Sequence, residues 1–251
     1  TTKGKISINN VADYALCPSV AVKEWEAREY GINVDKLFIC DQPRNDYLFR
    51  KSKGYLKPLR AQIKNYTKTV LWMPTFRTRQ NGENDSTAKY YLGIPLIKNR
   101  EDLEELNSYL EDKGILLLIK LHPQQLITDE KIYDMKNVLF MRDNTLGGKT
   151  LDINEIMVET DAMLTDYSTV IWDYLLLNRP IGFTIPDIEE YRIGFAVNDP
   201  LRYMPGNKMF DMEELCGFFD KILAGEDEYI DEREVIRKEM HDYADGNNCE
   251  R

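Results

Sequence analysis

The chain has 251 residues, 43% of them hydrophobic, and a formal net charge of −10 at pH 7. That length suits one large domain or two ordinary ones, with enough apolar material for a packed core. No apolar run approaches the roughly 20 residues that cross a bilayer, and the opening TTKGKISINN is too polar for a signal peptide. Four scattered cysteines (Cys17, Cys40, Cys216 and Cys249) lack C-x-x-C spacing, which argues against zinc and against a disulfide framework and fits a reducing cytoplasm.

In chain order, YALC (Tyr14 to Cys17) and KLFIC (Lys36 to Cys40) read as short strands around an amphipathic helix over about 19–30. Ser19 is its expected N-cap and Gly31 its stop. A helical segment is expected over about 46–66, interrupted near Gly54 and Pro58. It runs through a strong charge asymmetry. From Tyr47 to Gly82 there is no acidic residue, while Arg50, Lys51, Lys53, Lys57, Arg60, Lys64, Lys68, Arg77 and Arg79 all fall there. Two readings stand open: a solvated helix face, or a local field for an anionic ligand or membrane surface.

TVLWM (Thr69 to Met73) is the next strand, stopped by Pro74 and followed by a loop with Gly82, Asn84 and Asp85. A helix over about 101–113 ends at Gly114. ILLLIKL (Ile115 to Leu121) is short and apolar, as a strand covered on both faces should be. NVLFM (Asn137 to Met141) is another strand, and Asp152 with Glu155 resembles a capping box for a short helix. AMLT (Ala162 to Thr165) and PIGFT (Pro180 to Thr184) are strands flanking a further helix, and acidic helices follow from about Met212.

Alternation at this spacing predicts an α/β fold of parallel βαβ units with helices on both faces. Ligands in such sheets bind at the carboxyl ends of the strands. Three polar clusters follow strand ends and should share one rim: Pro74, Thr75 and Arg77; His122 and Pro123; and Thr165, Asp166, Tyr167 and Ser168. A helix starting near Ser168, with the hydroxyls of Ser168 and Thr169, would make a phosphate cradle without a glycine-rich loop. The plain alternative is an ordinary N-cap by Asp166 or Ser168. His122 reads as a group that hydrogen-bonds a phosphate or handles a proton, against a structural histidine satisfied by a backbone carbonyl. His241 reads as surface or packing. No Asp/Glu cluster has metal-ligand spacing, so no tightly bound metal and no cofactor are expected.

The set PRND (Pro43 to Asp46), MPTFR (Met73 to Arg77), KLHP (Lys120 to Pro123) and LTDYSTVIWDYLLLNRPI (Leu164 to Ile181) resembles the CDP-glycerol glycerophosphotransferase family, the teichoic acid primases and polymerases. EEYRIGF (Glu189 to Phe195), Pro205-Gly206 and DGNNCER (Asp245 to Arg251) continue the resemblance in the same order. The resemblance implies a glycosyltransferase-B architecture with a Rossmann-like C-terminal donor domain. It implies transfer of glycerol phosphate, or another alditol phosphate, from a CDP-alditol to a lipid-linked polymer at the inner face of the cell membrane. Nucleic acid has no place in that chemistry. Matching positions imply that Thr75, Arg77, His122, Thr165, Asp166, Ser168 and Thr169 line the donor pyrophosphate site, with Arg192 and Gly194 on a nearby loop and Asp245 and Arg251 in a terminal motif.

Under this reading residues 67–251 are the donor domain, and residues 1–66 are the end of an N-terminal acceptor-side domain with its connecting helix. The family's HGTPLK-type histidine motif has no counterpart in the chain and by order falls before Thr1, so about the first 50 residues look like the tail of an incomplete domain. The "RGF" pattern reads Arg-Ile-Gly-Phe here, and "PGP" reads "PGN". The implied reaction is attack of an acceptor hydroxyl on the β-phosphorus with loss of CMP. Arg77 and the turn at Ser168 would offset charge on the leaving phosphate, and His122 would donate to a phosphoryl oxygen. The rival expectations are a glycosyltransferase-B enzyme using a nucleotide sugar, and a non-catalytic nucleotide-binding module.

Overall fold

A computed structural model describes residues 12–75, 90–122, 130–141, 145–146, 149–190 and 199–251. Strands β1 (Ala15–Cys17) and β2 (Leu37–Ile39) pair in parallel across helix α1 (Lys23–Tyr30), which makes a small βαβ unit. After the single-turn helix α2 (Lys57–Arg60), strand β3 (Lys68–Trp72) leads to helix α3 (Arg100–Lys113), strand β4 (Ile115–Lys120) and strand β5 (Val138–Met141). Two short strands, β6 (Thr145–Leu146) and β7 (Lys149–Thr150), pair antiparallel. Helix α4 (Ile153–Met157), strand β8 (Ala162–Thr165), helix α5 (Val170–Leu175), strand β9 (Ile181–Thr184) and strand β10 (Asn207–Met209) follow. Helices α6 (Met212–Ala224) and α7 (Ile230–Met240) come last.

The main sheet has six strands in the order β10-β9-β8-β3-β4-β5, all parallel, so the expected α/β architecture holds. Side chains alternate across it. Val70, Trp72, Leu117 and Ile119 point to a core closed by Leu103, Leu106 and Leu110 of α3 and by Leu215, Phe218 and Phe219 of α6. Leu71, Leu116, Leu118 and Met163 point the other way, to a core shared with Tyr174 and Leu175 of α5, Ile236 of α7 and Cys17, Val22 and Leu48 near the start. Both faces are covered, which is why Ile115 to Ile119 are all fully buried and the strand reads as an unbroken apolar run.

Gly114 stops α3 in the left-handed region at φ 67, where a Cβ would meet the Asn65 carbonyl oxygen at 2.0 Å. Gly206 lets the chain press against β9, since a Cβ there would lie 2.1 Å from the Ile181 carbonyl oxygen.

Three local expectations are corrected, and one strand is new. Ser19 does not cap α1, which begins at Lys23; its hydroxyl donates instead to the Glu239 carbonyl at 2.6 Å. The helix expected over 46–66 is a 3-10 stretch at Pro43–Phe49 and the single turn α2. Gly54 sits at φ 74, and the amides of Tyr55 and Leu56 donate to the Glu159 carboxylate at 2.7 and 2.9 Å instead of entering a helix. Asp152 does cap α4 through the Asn154 amide, but Glu155 does not close a capping box, because it pairs with Lys53 at 2.5 Å. Strand β10 (Asn-Lys-Met) has too little apolar alternation to announce itself.

Candidate functional site

The carboxyl ends of β3 and β8 are tied into one rim. Thr165, fully buried at the end of β8, donates its hydroxyl to the Met73 carbonyl at 2.9 Å, and its own carbonyl accepts the Thr184 hydroxyl at 3.1 Å. Asp166 is 1% exposed. Its carboxylate accepts the Thr75 amide at 2.9 Å, the Thr75 hydroxyl at 2.6 Å and the Tyr167 amide at 2.7 Å. Tyr167 in turn donates its phenol to Asp187 at 2.8 Å. Thr75, Thr165 and Asp166 therefore hold the turn from beneath, and their polar atoms are spent on protein partners.

What the turn presents outward is Ser168, half-buried, and Thr169, exposed. Helix α5 starts at Val170, near Ser168 as expected, and has six residues. The Ser168 hydroxyl accepts the Val170 amide at 3.4 Å, a long bond in a turn closed by hydroxyl and backbone. The amides of Ser168 and Thr169 have no protein acceptor among the described residues. Two hydroxyls and two amides at a strand end can receive an oxyanion, with little help from so short a helix dipole.

Beside the turn lies a recess of about 350 Å³ walled by Trp172, Phe183, Tyr203 and Met204. Trp172 and Tyr203 pack edge to face, with ring centroids 5.7 Å apart. Sequence reasoning missed these walls, and their only local signal was an aromatic inside the helix of the TDYST stretch. The end of α7 fixes them. Glu239 accepts the Tyr203 phenol at 2.5 Å and Arg202 at 2.6 Å. Burial, reinforced by Glu239, pushes the Tyr203 phenol above its ordinary pKa.

His241, 4% exposed, is packing and not surface. Its Nε2 lies 2.8 Å from the Trp172 carbonyl and carries the proton of that bond, because a carbonyl only accepts. Its Nδ1 lies 2.6 Å from Asp41, itself 1% exposed.

His122 is exposed just past the carboxyl end of β4. β4 and β8 flank β3, so at about 4.8 Å per strand their carboxyl ends lie roughly 10 Å apart, within the reach of one diphosphate-bearing ligand. Arg77, Pro123, Arg192 and Gly194 lie outside the described residues. Asp245 and Arg251 pair at 2.5 Å. Among the described residues no group of three His, Cys, Asp or Glu side chains is placed to hold a metal, and no helix is long and apolar enough to cross a membrane.

The sequence pattern of the CDP-glycerol:poly(glycerophosphate) glycerophosphotransferases matches residues 2–251. A teichoic acid ribitol-phosphate primase of Bacillus spizizenii is 27% identical over 193 residues, covering 74% of this chain and 44% of that protein. A teichoic acid poly(glycerol phosphate) polymerase of the same species is 34% identical over 184 residues, covering 72% of this chain and 42% of that protein. The chain thus spans less than half the length of these two relatives. In fold it matches the wall teichoic acid polymerase TagF with a TM-score of 0.69 at 22% identity, over 95% of this chain and 56% of that one, which makes the fold Rossmann-like and of glycosyltransferase-B type. By the match along nearly its whole length, the chain belongs to the CDP-glycerol:poly(glycerophosphate) glycerophosphotransferase family.

Proposed function

We propose that this chain carries the donor site of a transferase that moves glycerol phosphate, or another alditol phosphate, from a CDP-alditol to a lipid-linked teichoic-acid-like or capsular polymer at the inner face of the cell membrane. One observation carries the reading. The Asp166-anchored turn offers the Ser168 and Thr169 hydroxyls and two unpaired amides at the carboxyl end of a parallel sheet, beside an aromatic-walled recess.

In this reading Ser168, Thr169 and their amides bind the donor phosphates. Thr75, Thr165 and Asp166 act through the turn and do not touch the ligand. His122 donates to a phosphoryl oxygen and Arg77 offsets charge on the departing CMP, while Arg192 and Gly194 border the site. An acceptor hydroxyl attacks the β-phosphorus, the bond from that phosphorus to the bridging oxygen breaks, and CMP leaves with the electron pair. The rate comes from alignment and from donors fixed before the reaction. Residues 67–251 form the donor unit, and residues 1–66 belong with the acceptor side.

The test is CMP release from CDP-glycerol with a lipid-linked acceptor, catalysed by the protein that contains this chain. His122→Ala should lower the rate about 10²–10³-fold, the usual cost of one preorganised donor. Turnover of a UDP- or GDP-sugar without CMP release would overturn the reading.

A further inference from the structure

At the amino ends of β3 and β8, opposite the donor rim, two arginines are clamped to one turn. Arg179 Nη1 donates to the carbonyls of Met157 at 3.3 Å, Val158 at 2.9 Å and Thr160. Arg60 Nε donates to the Thr69 hydroxyl at 3.0 Å, and its Nη2 donates to the Glu159 carbonyl. Arg179 also bonds the buried Tyr174 phenol, and the Arg60 guanidinium lies over the Tyr66 ring, 5.4 Å from its centroid, with its Nη1 free of hydrogen-bond partners among the described residues. The neighbouring carboxylates are occupied. Glu159 takes the amides of Tyr55 and Leu56, and Asp161 takes the Thr69 amide at 2.8 Å and Lys68 at 3.3 Å.

Arg60, Arg179, Tyr66 and Ser52 line a polar recess of about 740 Å³, together with the already occupied carboxylates Glu159 and Asp161. Ser52 also lines a second recess, of about 210 Å³, with Arg50, Lys51 and Lys53, the last of these paired with Glu155 in the same wall. The shared serine joins the two into one furrow. Its cations Arg50, Lys51, Lys53, Arg60 and Arg179 outnumber its carboxylates Glu155, Glu159 and Asp161, in a chain whose net charge is −10.

We propose that this furrow holds the phosphodiester backbone of a poly(alditol phosphate) chain, away from the site of transfer. The identity of that polymer rests on the function proposed above; the preference for a linear polyanion rests on the furrow. Rigid guanidinium forks suit phosphate oxygens, and a row of cations suits one charge per repeat. A flat anionic bilayer fits less well, because the furrow is concave and none of residues 50–68 is an exposed large apolar side chain that could enter a membrane. The five residues of β3 separate the two ends of the sheet by roughly 17 Å at about 3.3 Å per residue, so only an acceptor of several repeats reaches both. Longer acceptors therefore bind more tightly than the monomer.

The experiment measures binding of long, lipid-free poly(glycerol phosphate), of free glycerol phosphate and of phosphatidylglycerol vesicles to the whole protein, with CDP binding and melting temperature followed in parallel. The variants are the exposed pair Arg50→Gln/Lys51→Gln and, separately, Arg179→Gln. The expected result is polymer binding that weakens as salt rises, falls about tenfold in the double variant and leaves CDP affinity unchanged. Unchanged polymer affinity in a folded double variant overturns the proposal, as does vesicle binding lost in that variant while polymer binding persists. If Arg179→Gln fails to fold, the surface double variant still decides. Absent CDP binding with intact polymer binding would count against the donor reading and leave the furrow standing.

Discussion

Two places in the molecule bury an aspartate at a joint, and they do so with different donors. At the donor rim, Asp166 is satisfied by two amides and a hydroxyl, all neutral and all within reach of β3 and β8. At the junction near the chain's end, Asp41 meets an imidazole, that of His241, together with the Gln42 amide at 2.7 Å and the Asn45 amide group at 3.1 Å. The rim is a local device that shapes a turn. The junction is a long-range strut that ties residues 18–46 to the end of α7, and Asp242 N to Pro18 O and Asn248 N to Asp46 repeat the tie. A rim defect should therefore damage ligand binding before stability, and a junction defect should do the reverse.

The largest effect is expected at the junction. Asp41→Ala leaves the buried His241 ring, the buried Asn45 amide group and the half-buried Gln42 amide without their partner and should cost about 3–5 kcal/mol. For a chain of this size that lowers the melting temperature by on the order of 10 °C. A calorimetric scan showing no shift would mean the strut carries no weight.

Asp166→Ala should come next, at about 2–3 kcal/mol, because Thr75 is only half-buried and water can replace part of what is lost. It should also abolish measurable CDP binding, since the turn loses its anchor. If CDP still binds at full strength to a folded Asp166→Ala protein, the rim is not the phosphate site. Ser168→Ala sharpens the contrast: CDP affinity should fall by about 1 kcal/mol in an isothermal titration, cytidine affinity should hold, and urea unfolding should stay within about 0.5 kcal/mol.

The smallest expected effect is a pH dependence at the junction. Burial pulls the Asp46 carboxyl up, but the bonds from Cys249 and Asn248 outweigh it and hold its pKa below the ordinary 3.8. A carboxylate with a lowered folded pKa adds stability above its unfolded pKa and loses it as pH falls through the folded value. Asp46→Asn should therefore be less stable than wild type above about pH 4, with the gap closing below pH 3.8. A gap that stays constant down to acid-induced unfolding would show that the bonds at Asp46 do not depend on its charge.

The parts of this comparison differ in how they show in the sequence. The rim was legible, because apolar runs such as Ala162 to Leu164 end abruptly in hydroxyls and a carboxylate, and parallel sheets put such ends together. Its inner arrangement was not: that Asp166 faces Thr75 depends on β3 and β8 being neighbours, 91 residues apart in sequence. The junction was hidden for the same reason, since His241 and Asp41 lie 200 residues apart. The segment 46–66 reads as one interrupted helix, but only short turns form there, because the Tyr55 and Leu56 amides go to Glu159 and the Asp46 carboxylate accepts the Asn248 and Cys249 amides. Local pattern reports local structure, and here the structure is made by distant partners.

The central claim is that the turn at Ser168 and Thr169 binds the diphosphate of a cytidine donor. Isothermal titration of this 251-residue chain with CDP, CDP-glycerol, UDP, GDP and cytidine tests it most directly. The account predicts that CDP and CDP-glycerol bind at least about tenfold, or 1.4 kcal/mol, more tightly than UDP, GDP or cytidine, and that Ser168→Ala removes much of the gap between CDP and cytidine. Equal affinity for CDP and cytidine, or a preference for UDP or GDP, would contradict it.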